Sequence, residues 1–266
     1  MNIMLLKLMF FTILQFISIN LFSQLSNWNG KKCAVVLTYD DALNIHLDKV
    51  IPQLDSFKFK GTFYIIGSSP NVSRRINEWR MAASNGHELG NHTLNHPCDG
   101  SLPDRDWTKG ETDLSRYSVL RATHEIKVCN TLLEAIDGKK ERTFAYPCGD
   151  QKIHDTLYYE YSKNEFVCAR GVQNGFLQPA NVNLSDVNGF AEIGSTAQQM
   201  IDKVKAAEKA GSFIVFIFHG VGGEHHLNVA LEEHQKLLEY LNQKEKDIWV
   251  ATMVDLGKFI AEKQGN

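Results

Sequence analysis

Short apolar runs alternate with helix-periodic stretches along most of the chain, the pattern of an α/β protein. Strands are predicted at "CAVVLTYD", "GTFYIIG", "HELGNH", "RTFAYP", "EFVCARG", "SFIVFIFHG" and "IWVAT". Amphipathic segments lie between them, among them "LNIHLDKVIPQLDSF", "RRINEWRMAASNG", "RYSVLRATHEIKVCNTLLEAIDG" and "AQQMIDKVKAAEKAG". Gly86, Gly138 and Gly211 stand where three of these should stop, because glycine accepts the left-handed backbone of a helix end. The run "FIVFIF" has no polar alternate, so both of its faces must be buried, as in a parallel sheet or barrel. The stretch from Cys98 to Ser115, "CDGSLPDRDWTKGETDLS", is polar and turn-rich and reads as a long loop of the kind that borders a site.

The first residues break the pattern. "MNIMLLKLMFFTILQFISINLFSQ" carries one charge, Lys7, then an apolar run, then the small Ser23 before Gln24. This predicts a signal peptide over 1–23 and a mature domain over 24–266, exported to the periplasm or the extracellular space. A retained anchor is the alternative, but Gln15, Ser18 and Asn20 interrupt the apolar run, and no stable membrane association is expected after cleavage. No repeat or linker divides the remainder.

With 266 residues, 43% of them hydrophobic, the chain can bury a full core, and a net charge of -3 gives no reason to expect a nucleic-acid partner. Its five cysteines are an odd set for an oxidising compartment. If the loops holding Cys98 and Cys148 border one pocket, a bridge between them would pin its rim; free thiols or another pairing are equally open.

Functional groups of parallel α/β folds gather where strands end. Here the apolar runs close on Asp40 and Asp41, on His92 and His96, on Pro147, Cys148 and Asp150, on Arg170, and on His219. His92 and His96 can face one point if the backbone makes a single helical turn. Adjacent aspartates in extended chain point to opposite sides, so Asp40 and Asp41 need not share a task. One carboxylate with two imidazoles suits zinc or another divalent ion with open positions, a second carboxylate can serve as general base, and His219 can serve as general acid. Taken singly, each has a plainer reading: an aspartate pair caps a helix, and a strand-end histidine packs. Their recurrence at strand ends in one chain is what favours a site.

At these residues the chain resembles the NodB-homology polysaccharide deacetylases of carbohydrate esterase family 4. "TYDD" at Thr38–Asp41 is similar to the family's first motif, "HTLNH" at His92–His96 matches its second, and "FIFHG" at Phe216–Gly220 is similar to its last. The likeness spans roughly Lys32 to Ile260. It implies a distorted (β/α) barrel of seven or eight mostly parallel strands. It also implies Asp40 as general base, Asp41, His92 and His96 as ligands of a divalent metal ion (zinc foremost), and His219 as general acid. Ile217 would face the acetyl methyl. The third motif departs: "AYPCG" puts Ala145 where the family has an arginine and Cys148 where an aromatic residue's backbone N–H helps bind the oxyanion. A backbone donor does not depend on its side chain, so Cys148 can keep that role. Arg170 could supply the missing cation, or could instead pair with a structural carboxylate. For the fourth motif only Asp186, in "NVNLSDVNGF", is a weak candidate.

The resulting expectation is metal-dependent removal of N- or O-linked acetyl groups from an acetylated carbohydrate outside the cytoplasm. The rival is a secreted glycan-binding protein that no longer turns over. Trp107 could stack on a sugar or fold back onto the barrel. His225 and His226, in "GGEHHLN", could border the pocket, with a solvated loop as the favoured reading, and His234 reads as structural.

Overall fold

The computed structural model describes residues 28–108 and 110–265. The signal peptide expected over 1–23 lies outside the described residues. Eight strands form the main sheet among them: β1 (Cys33–Asp40), β2 (Thr62–Ile65), β3 (Glu88–Asn91), β4 (Phe144–Ala145), β5 (Ala169–Arg170), β6 (Phe190–Ala191), β7 (Phe213–Phe218) and β8 (Ile248–Ala251). Their order is β5-β4-β3-β2-β1-β7-β6, with every pairing parallel. β1 is long enough to hold two neighbours on one edge, β8 along Cys33–Val36 and β2 along Thr38–Asp40. At the far ends, Arg170 bridges to Val187 just before β6, which brings the sheet round on itself. The result is the expected distorted (β/α) barrel.

Seven α-helices cover it: α1 (Ile51–Ser56, entered through a π turn at His46–Val50), α2 (Pro70–Arg74), α3 (Ile76–Ser84), α4 (Val119–Asp137), α5 (Ala197–Ala210), α6 (Leu231–Gln243) and α7 (Met253–Gln264), counted among the described residues. Their ends follow local chemistry. Thr196 and Gln199 close a capping box on α5, and Gly138 and Gly211 end α4 and α5 in left-handed backbone. Among the described residues no helix is long and apolar enough to cross a membrane.

The alternation within each strand decides what faces the barrel interior. On β1, Val35, Leu37 and Tyr39 join the core under the helices with Leu54, Phe63, Trp79 and Leu237, whereas Ala34 and Val36 join a second cluster with Tyr64, Ala145, Cys168 and Val215. Both faces are therefore buried, which is why no polar alternation marks this strand. The same parity sends Asp40 inward from β1, His92 from the end of β3, Arg170 from β5, and Ile217 and His219 from β7. Deeper on the inner face, Glu88 is held by Thr62 Oγ1, by the N–H and Oγ1 of Thr143, and by Val254 N–H, a fully bonded structural carboxylate. Gly90 is required beside it, since a Cβ there would meet the Tyr64 ring at 2.5 Å.

Two predicted strands shrink to two ladder residues each. Around β5 the backbone turns to other partners: Val167 N–H bonds Arg142 and Ala169 N–H bonds Leu184. The polar stretch after Cys98 is a loop of turns and short 3-10 segments, as its composition implied. It is tied down by a Cys98–Cys148 disulfide and by Asp150, whose carboxylate accepts from Asp99 N–H at 2.8 Å and from Arg105 at 2.9 Å. Cys33, Cys129 and Cys168 are free and buried. Trp107 stands 62% exposed rather than folded onto the barrel.

Candidate active site and metal centre

Where β1 ends, Asp41 (φ 78) and Ala42 (φ 52) take left-handed backbone. The rule that neighbouring side chains diverge holds only for extended chain, and this turn overrides it: both aspartates face one point. Asp41 Oδ1 lies 3.6 Å from His92 Nε2 and 3.5 Å from His96 Nε2, while Asp40 Oδ2 lies 3.9 Å from His92 Nε2. The histidine pair also converges by a different route from the one expected. No helical turn forms. Thr93 (φ 64) and His96 (φ 52) fold the chain back, with Asn91 Oδ1 accepting from Thr93 N–H and Thr93 Oγ1 from His96 N–H, and the rings meet at 4.7 Å.

His92 Nδ1–H donates to the Ala145 carbonyl at 2.8 Å, which leaves the Nε2 lone pair turned toward Asp41. Asp41 Oδ1 is buried and has no hydrogen-bond partner. Burial pushes the Asp41 carboxyl up to about 6 and the His92 imidazole down to about 3. A carboxylate oxygen stranded between two imidazole lone pairs is costly unless a cation completes it. The donor set fits a divalent ion with open positions.

Asp40 behaves differently. Burial alone would raise its carboxyl, but Arg170, with His92 and His219, outweighs that and holds it below the usual carboxylate range. Arg170 Nη2 donates to Asp40 Oδ2 at 2.6 Å, and its guanidinium lies 4.9 Å over the Tyr64 ring. Arg170 is thus paired with Asp40, not with a carboxylate elsewhere. Asp40 Oδ1 has no partner and remains free to accept.

His219 Nε2 is 3.9 Å from Asp40 Oδ2, and burial lowers its ring pKa. Its carbonyl is held by His46 Nε2–H at 2.8 Å, a buried residue that the strand-end rule passed over because it comes from the turn before α1. Ile217 faces the same interior, 2% exposed, with its Cδ1 over Gly189, where a Cβ would come within 2.7 Å. Cys148 has left-handed backbone (φ 56) in the turn Pro147–Gly149, and its disulfide partner Cys98 places Sγ 3.7 Å from His96 Nδ1.

Two expectations need correction or narrowing. His225 is not in a solvated loop: its ring stacks on His219 at 5.0 Å, and its Nε2 is 3.9 Å from Asp41 Oδ2. The signal was its position six residues beyond His219 in a glycine-rich turn. Asp186 has a buried oxygen without a partner and sits against Gly171, the residue after Arg170. His234 is structural, bonded to Tyr39 and Gln53.

Known proteins repeat this arrangement of chain. A domain of a multidomain xylanase from the hindgut metagenome of Trinervitermes trinervoides, named as a CE4 domain, superposes with a TM-score of 0.56 at 18% identity, covering 87% of this chain and 91% of that one. An allantoinase superposes with a TM-score of 0.64 at 11% identity over 91% and 94% of the two chains. Both are likenesses of fold. In sequence, 71 residues are 35% identical to a peptidoglycan-N-acetylglucosamine deacetylase of Bacillus cereus, covering 25% of this chain and 24% of that protein. The chain spans less than a third of the length of the curated relatives it matches, at 28%, 5% and 24%. The family model described as polysaccharide deacetylase matches residues 28–168. That match takes in more than half of the chain, with Asp40, Asp41 and the histidine pair inside it, and the chain belongs to the polysaccharide deacetylase family.

Proposed function

We propose that this protein is a metal-dependent hydrolase that removes acetyl groups from a polysaccharide or oligosaccharide outside the cytoplasm, where the leader over 1–23 would direct it. The observation that carries the reading is the convergence of a partnerless Asp41 Oδ1 with the Nε2 atoms of His92 and His96. These three residues would hold the ion, zinc being the ion best matched to two imidazoles and a carboxylate. Bound there, it would supply Lewis-acid polarisation of the acetyl carbonyl and acidification of water.

The remaining steps belong to the chain. Asp40, kept ionised by Arg170, takes the proton from the attacking water through its free Oδ1. The Cys148 backbone N–H donates to the oxyanion, its turn fixed by the disulfide. Ile217 walls the acetyl methyl. His219, across from the base, protonates the departing sugar nitrogen or oxygen. Ala145 no longer argues for an inert binder, because the adjacent strand carries an arginine that reaches the same carboxylate.

The test is acetate release from acetylated xylan, chitin oligomers and peptidoglycan fragments, with and without chelator. Metal-loaded protein should release acetate from at least one, and Asp40→Asn should lose nearly all of it while retaining metal. No release from any substrate would leave a glycan-binding protein instead. Release from xylan alone would choose the ester branch.

A further inference from the structure

Directly beyond His219, the turn between Val221 and Asn228 is held against the mouth of the site. Glu224 accepts from Ile45 N–H at 2.5 Å and from Asn44 Nδ2 at 2.7 Å, which clamps the turn to the segment after β1. Asn228 Oδ1 accepts from Gly223 N–H at 2.8 Å and closes the turn from the other side. The product of this bracing is a fixed position for His225, whose ring lies nearly parallel to His219 (15°), with the His226 ring tilted against it at 4.4 Å.

The tautomer of His225 follows from its neighbours. Leu227 N–H donates to its Nδ1 at 3.1 Å, so a neutral ring carries its proton on Nε2. That nitrogen is then a donor and not a metal ligand. It points toward the site, where Asp41 Oδ2 lies 3.9 Å away, beyond hydrogen-bonding distance, and the side chain is 22% exposed. A rigid, half-buried donor without an acceptor at the edge of a binding site is completed by a polar group of the ligand.

We propose that His225 is a substrate-binding residue, donating its Nε2–H to an oxygen of the sugar that bears the acetyl group. The inference rests on the deacetylase reading above and deepens it. Because the ring packs on His219, which faces the departing sugar atom, the donor meets the sugar side of the scissile bond. Ile217 faces the methyl side.

The experiment compares zinc-loaded wild type with His225→Phe and His225→Gln, using acetylated xylo-oligosaccharides and N-acetylated chito-oligosaccharides. Phe keeps an aromatic ring against His219 and removes the donor; Gln keeps a donor and removes the ring. With Phe, KM should rise about five- to tenfold while kcat falls far less, and Gln should recover part of the loss. Zinc content should match wild type in both. A Phe variant with wild-type KM on a hydrolysed substrate overturns this assignment and leaves the deacetylase reading intact. Wild type that neither hydrolyses nor, by calorimetry, binds these sugars overturns both. Should Phe fail to fold, His225→Ala replaces it, and KM values no worse than for Gln count against the donor.

Discussion

Arg170 donates its Nη2–H to Asp40 Oδ2 across the barrel interior at 2.6 Å, and both side chains are almost wholly buried, at 1% and 5% exposure. Arg170 is the register partner of Ala145, so it stands one strand over from the position that aligns with the arginine of the family's third motif. A charge contributed from either strand can reach one carboxylate, because neighbouring parallel strands lie only about 5 Å apart. Arg170→Gln should lower kcat by about 100-fold, as expected when one member of a buried, hydrogen-bonded charge pair is lost. It should also move the acidic limb of the kcat/KM profile to higher pH, since Arg170 holds Asp40 below its usual range and its loss lets the base protonate sooner. Arg170→Lys should recover part of the activity. An unmoved acidic limb would separate Arg170 from the base.

The metal reading predicts linkage between ion and fold. Zinc at about 100 times its dissociation constant should stabilise the protein by about 2.7 kcal/mol. For a chain of this size that is a rise in Tm of several degrees. His92→Ala should abolish both the rise and the bound zinc, and a fully metallated variant would remove His92 from the ligand set. Chelation should suppress acetate release, and added zinc should restore it.

The Cys98–Cys148 bridge closes a separation of 50 residues and joins the chain just after His96 to the turn of Cys148. Its removal in Cys98→Ala/Cys148→Ala should cost up to about 4 kcal/mol of stability, the loop-closure value for this length. The kcat/KM should fall as well, because His96 and the Cys148 N–H both lose their restraint. Thermal unfolding with and without reductant checks the first part, and kinetics below the melting range checks the second.

Acid sensitivity should arise from buried histidines other than His92 and His96. Burial holds His46 and His87 down at about 4 and His234 at about 3. His234 accepts from Tyr39 O–H on Nε2 and donates from Nδ1 to Gln53, a pattern that only the neutral ring completes. The unfolded chain binds protons near the ordinary histidine pKa while the folded chain resists them. Stability is therefore full above about pH 6.5 and falls as pH drops through the window down to the folded values. Going from pH 7 to pH 5 should cost about 1 to 2 kcal/mol for each such group. In urea titrations at the two pH values, His234→Gln should shrink the difference by that amount; an unchanged difference would clear His234.

Strand identity, an α/β class with strands buried on both faces, and the gathering of Asp40, His92, Arg170 and His219 at strand ends were readable from residue order; the barrel itself was implied by the family resemblance. A period of two assigns each side chain a face, and uniformly apolar strands require cover on both sides. The spacing of "TYDD", "HTLNH" and "FIFHG" likewise marked the residues that converge. What could not be read was how the chain leaves each strand. Left-handed backbone at Asp41, Thr93, His96 and Cys148 turns side chains back that extended or helical chain would send elsewhere, and such conformations are stable here because surrounding loops and bonds enforce them. Nor could local pattern reveal that Arg170 would find Asp40, or that Glu224 would press His225 onto His219. Those neighbours are 130 and more residues apart or meet through a braced loop, and only the closing of the barrel sets their distance.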